Sequence, residues 1–192
     1  MSNEESVQIL ALAGSYRSGS FNQSLLAGVR DAASSDIEIV DFDLRTVPFF
    51  DQDLETAGEP QPVQDLKQAV SSADAVLFIT PEYNSGVPAV LKNGLDWSSR
   101  IYPDAPIGGK LVAVIGASPG RSGTKYAQAN LKASVDRAGA VLIEEVELML
   151  DHASDAIEDG VVTSDDLKAQ LASVVDSIVK AVAAQRSEPD SD

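Results

Sequence analysis

Val7-Gln8-Ile9-Leu10-Ala11-Leu12-Ala13-Gly14-Ser15-Tyr16-Arg17-Ser18-Gly19-Ser20-Phe21-Asn22 is the stretch that decides the fold. Val7 to Ala13 is a short apolar run stopped by Gly14, the pattern of a buried strand. From Ser20 to Ala33 the spacing is helical, with Leu25, Leu26 and Val29 on one face. The loop between them combines glycines, hydroxyls and one Arg. A strand that turns through such a loop into a helix presents unpaired N–H groups at the positive end of the helix dipole. Ser15, Ser20 and Asn22 add neutral donors, and Arg17 adds a full charge on a planar fork suited to phosphate oxygens. A plain turn with Ser20 as helix cap would need only one such residue. Gly14 and Gly19 have the spacing of a P-loop, but Ser20 and Phe21 stand where Lys and Ser/Thr are required. Tyr16 occupies the position of the second glycine in a dinucleotide fingerprint. A terminal monophosphate is therefore the best-fitting anion.

The same alternation continues outward. Ile37 to Phe42 alternates apolar and acidic residues as a more exposed strand does, and a long connection with Pro48, Gly58, Pro60 and Pro62 follows. Helices are predicted over Val63 to Ser72, Val87 to Arg100, Thr124 to Arg137 (with Gly139 as its C-cap) and Ser164 to Ala184. Strands are predicted over Ala75 to Thr80, Leu111 to Ala117 and Val141 to Met149. Ser164 is the expected N-cap of the last helix, with Asp165 and Asp166 in its first turn. Five strands alternating with helices argue for an α/β three-layer sandwich around a five-stranded parallel sheet. Residues 7–186 form one domain in this reading, with polar, acidic and disordered termini at 1–6 and 187–192. Ligands of such sheets bind beyond the carboxyl ends of the strands, where strand order reverses. The loops after the first, third and fourth strands are therefore the ones to read.

Charge bounds the partners. Thirty Asp+Glu against fourteen Lys+Arg give a formal net charge of -16. Such a surface repels nucleic acid and anionic membranes. The excess also points to a high-salt cytoplasm, where screening removes the self-repulsion that would otherwise destabilise the fold, with a plain acidic mesophilic protein as the alternative. There are no cysteines, which excludes disulfides, thiolate catalysis and thiolate metal sites. No metal site is expected. The polar, acidic start is unlike a signal peptide, and no apolar run approaches a membrane span, so a cytoplasmic protein is the default.

The loop after the third strand reads Thr80-Pro81-Glu82-Tyr83-Asn84-Ser85-Gly86-Val87-Pro88, and Pro88 suits the first turn of a helix. A tight loop of this kind can present backbone groups to the polar edge of a flat heterocycle. Trp97 reads as core or interface before ligand contact, and Lys92, Asn93 and Asp96 as residues that fix the loop or a subunit contact. The loop after the fourth strand, Gly116-Ala117-Ser118-Pro119-Gly120-Arg121-Ser122-Gly123-Thr124, has three glycines that permit close backbone approach. His152, the only histidine, follows the last strand and reads as a loop residue. The pairs Glu144-Glu145 and Asp165-Asp166 lack supporting ligands and read as solvated surface.

Two signatures resemble those of the NADPH-dependent FMN reductase family within the flavodoxin-like superfamily, which includes azo-dye, quinone and chromate reductases. Gly14, Ser15, Arg17, Ser20 and Asn22 match its phosphate-loop pattern. Pro81, Glu82, Tyr83, Asn84, Pro88, Leu91, Lys92, Asn93, Asp96 and Trp97 match its second pattern. The resemblance implies a flavodoxin-like sheet of order 2-1-3-4-5 and bound FMN. It assigns the FMN phosphate to Ser15, Arg17, Ser20 and Asn22, with Phe21 in the same loop. It assigns the isoalloxazine and ribityl side to Pro81, Glu82, Tyr83 and Asn84, with Ser85 beside them, and the pyrimidine edge to Ser118 and Gly120. Val47-Pro48-Phe49-Phe50-Asp51 resembles a family segment beside the active site.

The implied activity is hydride transfer from NADPH or NADH to FMN, then electron transfer to a small acceptor such as a quinone, azo compound, metal oxyanion or free flavin. No side chain is expected to be catalytic, because the flavin N5 carries that chemistry. Arg121 and Arg100 are the residues considered for a 2′-phosphate, and neither position decides between the two nicotinamides. The resemblance further implies a homodimer or homotetramer with the Leu91 to Trp97 helix near the contact. The alternatives are a flavin-binding regulatory or stress module that does not turn over and a non-catalytic electron carrier like flavodoxin, whose phosphate loop usually lacks a central Arg. Arg17 and the second signature favour the reductase.

Overall fold

The computed structural model describes residues 6–187. Strand β1 (Val7–Ala13) is followed by α1 (Phe21–Ala32), β2 (Ile37–Asp41), a short α2 (Gln52–Ala57) and α3 (Gln61–Ser72). Then come β3 (Ala75–Ile79), α4 (Ala89–Ser98), β4 (Leu111–Ala117) and α5 (Lys125–Arg137). The chain ends with β5 (Val141–Leu142), β6 (Leu148–Leu150), a small hairpin β7–β8 (Ile157–Glu158 and Val161–Val162) and α6 (Asp165–Ser187). The parallel order β2-β1-β3-β4-β5 is the flavodoxin-like arrangement read from the sequence. Of the two termini expected to be disordered, 1–5 and 188–192 lie outside the described residues, while Ser187 closes α6.

Strand pleating explains the three layers. Ile9, Ala11 and Ala13 of β1 pack with Leu77 and Ile79 of β3 against α1 and α6. Leu10 and Leu12 point the other way, joining Val76, Phe78 and Trp97 under α3, α4 and α5. Successive side chains of a strand face opposite layers, so a strand apolar at every position must be covered on both sides. β2, at one edge of the sheet, keeps an alternating and partly exposed pattern. Among the described residues no helix is long and apolar enough to cross a membrane.

The fifth sheet position departs from the expected single strand. Val141–Leu142 pairs with the start of β4, and Leu148–Leu150 pairs with its end. Between them the chain carries Glu144, Glu145 and Glu147, all exposed, while Ile143 and Val146 are buried. Carboxylates cannot be desolvated inside a covered sheet without partners, so the segment loops out and re-enters. The long connection after β2 also holds more structure than its prolines announced. Asp43 and Asp51 cap a 3₁₀ turn (Leu44–Thr46) and α2 by accepting from Arg45 N and Asp53 N.

Order reverses between β1 and β3. Their last residues, Ala13 and Ile79, are in register, and Gly14 N donates to Ile79 O at 2.9 Å. Gly14 is required there by space. A Cβ would stand 2.6 Å from Leu91 Cδ1 and 2.9 Å from Pro81 Cδ. Its absence lets the loops after β1 and β3 close on each other.

Candidate functional site

A cleft of about 240 Å³ opens at this reversal point. It is walled by Ser15, Arg17, Ser20, Phe21 and Asn22 after β1, by Pro81, Glu82 and Tyr83 after β3, and by Ala117, Ser118 and Pro119 at the end of β4. Nine of the expected site residues thus meet in one cavity, while Asn84, Ser85 and Gly120 do not line it. A groove of about 710 Å³ lies elsewhere, between α4 and α5, where Lys92, Asp96, Tyr102 and Arg137 are among its walls. It is larger, but none of the phosphate-loop donors reaches it, so the strand-end cleft is the better candidate for an anionic ligand.

The phosphate loop is built as a donor set. Ser20 Oγ accepts from Gln23 N at 3.4 Å, which makes it the helix cap. A hydroxyl that accepts still has its own hydrogen to give, so capping the helix leaves Ser20 able to donate to a phosphate. Gln23 Nε2 donates to Ser15 O at 2.9 Å and holds the loop backbone to the first turn of α1. The first N–H groups of α1 have no acceptor within the helix. Arg17 is exposed, and its guanidinium donates only to Ser18 O at 3.4 Å while lying 5.4 Å from the Phe21 ring. Among the described residues no carboxylate pairs with it, in a chain where acids outnumber bases two to one. This donor set, with no acid along residues 6–30, fits the phosphate of FMN.

Other expected residues spend their side chains on the backbone around the cleft. Asn22 is buried; its Nδ2 donates to Ala117 O at 3.0 Å and its Oδ1 accepts from Ala117 N at 2.9 Å. Its side chain stitches α1 to the end of β4, and what remains for a phosphate is chiefly its backbone N–H. Glu82 accepts from the backbone of Tyr126 and Ala127 at the start of α5. Asn84 and Ser85, with φ of 51° and 58°, are the central residues of a tight turn closed by reciprocal bonds between Tyr83 and Gly86. Positive φ at both central positions is the geometry of a type I′ turn. The turn aims Tyr83 back at the phosphate loop, where its hydroxyl donates to Ser15 Oγ at 3.4 Å. Gly120 N is taken by Ser118 Oγ at 3.1 Å.

Tyr16, unassigned in the sequence reading, braces the cleft from behind. Its hydroxyl accepts from Leu44 N at 2.8 Å, and Arg45 lies 4.5 Å over its ring. Burial of the ring raises its pKa, against the lowering effect of that backbone bond. Trp97 is fully buried and donates to Pro48 O at 2.9 Å, so it is core and not ligand contact. Asn93 accepts from Phe50 N at 2.7 Å and donates to Pro48 O at 3.0 Å. The 47–51 segment is thus pinned by α4: the side chain of Asn93, expected to fix the loop after the third strand or a subunit contact, bonds instead to the connection after β2. Of the two arginines considered for a 2′-phosphate, Arg100 is committed to Glu55 by bonds of 3.0 and 2.9 Å. That pair holds the Glu55 carboxyl below its ordinary pKa. Arg121 stands exposed on the loop beside the cleft.

Residues 7–155 match the family described as NADPH-dependent FMN reductase. The chain belongs to that family. It is 34% identical over 154 residues to an NAD(P)H-dependent FMN reductase of Pseudomonas aeruginosa, covering 80% of this chain and 83% of the relative. It is 34% identical over 171 residues to a 2-hydroxy-1,4-benzoquinone reductase of a Burkholderia species, covering 88% and 93%. Among solved structures, a flavoenzyme NAD(P)H:(acceptor) oxidoreductase from Paracoccus denitrificans superposes with a TM-score of 0.84 at 34% identity, over 93% of this chain and 98% of that one. For an FMN reductase of this family, the cleft built from the β1, β3 and β4 loops is the candidate cofactor site.

Proposed function

We propose that this FMN reductase uses NADPH or NADH to reduce a small quinone-type acceptor. The observation that carries the reading is the convergence of an unpaired Arg17, the capping Ser20 and the open start of α1 on one cleft at the β1–β3 reversal. FMN, when bound there, supplies hydride acceptance from the nicotinamide and delivery of electrons to the acceptor. The chain's own residues bind and orient. Arg17 and the first N–H groups of α1 hold the phosphate, with the Ser15 and Ser20 hydroxyls beside them. The loops around Glu82–Tyr83 and Ser118–Pro119 form the two walls for the ring.

The relatives named for FMN and benzoquinone reduction support this choice of acceptor class. The test is the visible spectrum of the purified protein, followed by oxidation of each nicotinamide with a quinone. Colourless protein that takes up no FMN would overturn the reading. FMN-loaded protein that consumes nicotinamide only through a separate reductase would instead make it a carrier.

Three finer points belong to the same proposal. The groove between α4 and α5, beside the strongly exposed Tyr102, is the candidate contact of a homodimer or homotetramer, which light scattering tests. The protein works in the cytoplasm. The charge of -16 suits a high-salt interior, in which case its melting temperature rises between low and molar KCl.

A further inference from the structure

Helix α5 has no cap of its own. Thr124 stands at the N-cap position without a side-chain capping bond, and the first turn holds no acidic residue. Packing is the reason. Thr124 is fully buried, its Oγ1 accepts from Gln128 Nε2 at 2.8 Å, and it fills the space beside Gly116, where a Cβ would stand 2.5 Å from that oxygen. The exposed N–H groups of the first turn are satisfied from another loop. Glu82 Oε2 accepts from Tyr126 N at 2.8 Å and from Ala127 N at 3.0 Å, and Oε1 accepts from Ser122 Oγ at 3.4 Å.

The bond joins two walls of the cleft. Glu82 lies between Pro81 and Tyr83, while α5 continues the loop that begins at Ser118 and Pro119. No other side-chain hydrogen bond links residues 81–86 to residues 118–127 among the described residues. We propose that Glu82 is a positioning residue. Its carboxylate holds the loop after β4 against the loop after β3, so that the two walls assigned to the flavin ring stay at a fixed separation. The assignment rests on the FMN reading above. It gives Glu82 a role distinct from that of Arg17, which serves the phosphate alone.

The two flavins FMN and riboflavin separate these roles, because riboflavin has the ring without the phosphate. In Glu82→Ala the amides of Tyr126 and Ala127 exchange hydrogen faster in the flavin-free protein. Affinities for FMN and for riboflavin then fall by the same factor, about tenfold, the equivalent of about 1.4 kcal/mol. Glu82→Gln, which keeps one oxygen able to accept both bonds, stays within about threefold of wild type. Arg17→Ala weakens FMN binding at least about tenfold and leaves riboflavin binding unchanged.

A role confined to capping α5 is distinguished by the double variant Glu82→Ala, Tyr126→Glu. It restores a first-turn acid, and the net charge, without restoring the link between loops. The proposal expects recovered thermal stability with flavin affinity still reduced, and affinity that recovers with stability overturns it. The double variant also carries the test if Glu82→Ala alone does not fold. Unchanged binding of both flavins by folded Glu82→Ala, or loss of FMN alone, overturns the proposal while leaving the FMN reading intact. Wild-type protein that binds neither flavin overturns the FMN reading and this proposal with it.

Discussion

Replacing Asn22 tests whether the cleft is held together from within. Asn22→Ala removes two hydrogen bonds, of 3.0 and 2.9 Å, that occupy both backbone groups of Ala117 on the side facing α1. Ala117 is buried, so no solvent replaces those bonds without a rearrangement. An unsatisfied buried group costs about 1–3 kcal/mol, which puts the pair at about 3 kcal/mol. For a domain of this size about 1 kcal/mol moves the melting temperature by about 2–4 °C, so a drop of roughly 6–12 °C is expected. Because Ala117 also lines the cleft, FMN affinity falls as well. Asn22→Asp sharpens the test. It keeps the acceptor for Ala117 N but sets a carboxylate oxygen against Ala117 O, raising the folded-state pKa of the new acid above its unfolded value of about 3.9. Its penalty is therefore full at neutral pH and shrinks as pH falls and the acid protonates to donate that bond. Melting curves at pH 7 and pH 5, with urea midpoints, measure both effects. Asn22→Ala melting within about 2 °C of wild type, or Asn22→Asp equal to wild type at neutral pH, would refute the stitching role.

Arg17→Ala weakens FMN binding at least about tenfold, since it removes the one charged donor of the phosphate loop; fluorescence titration reads it. Arg121→Ala lowers the ratio of kcat/KM for NADPH over NADH by about tenfold, through loss of a charge-assisted bond to the 2′-phosphate. An unchanged ratio removes Arg121 from that role. The Glu55–Arg100 pair makes stability pH-dependent. Glu55 has its pKa lowered from 4.5 by its hydrogen bonds to Arg100, so the pair's contribution is complete above that value and is lost as pH falls through the depressed one. The melting-temperature gap between wild type and Glu55→Gln should hold from pH 7 to 5 and close below pH 4.5; a gap independent of pH contradicts the pairing.

The elements that were legible share one property: their signals are contiguous. Val7–Ala13 and Leu111–Ala117 announce covered strands because every position is apolar, and Ser20 announces α1 because a cap acts on residues next to it. The proposed phosphate loop stood out for the same reason, its donors all lying between Ser15 and Asn22. Signals that needed a distant partner were misjudged or invisible. Glu82 and Asn22 have the right chemistry for a ligand, but fold-dependent neighbours claim their side chains first. Arg100 resembled Arg121 until Glu55 folded back beside it. The break between β5 and β6 required knowing that the sheet is covered where Glu144, Glu145 and Glu147 would have to sit.

Sequence alone settled the α/β order and, through family likeness, the strand arrangement, and it pointed to the start of α1 as the place to propose an anion-binding loop. Local hydrophobic period, capping and loop composition are short-range properties that the chain carries before it folds. Tertiary structure decided which polar side chains are left over for a cofactor. A carboxylate or amide has a limited number of hydrogen bonds to make, and only when residues far apart in the chain are brought within about 3 Å is it determined whether backbone or ligand receives them.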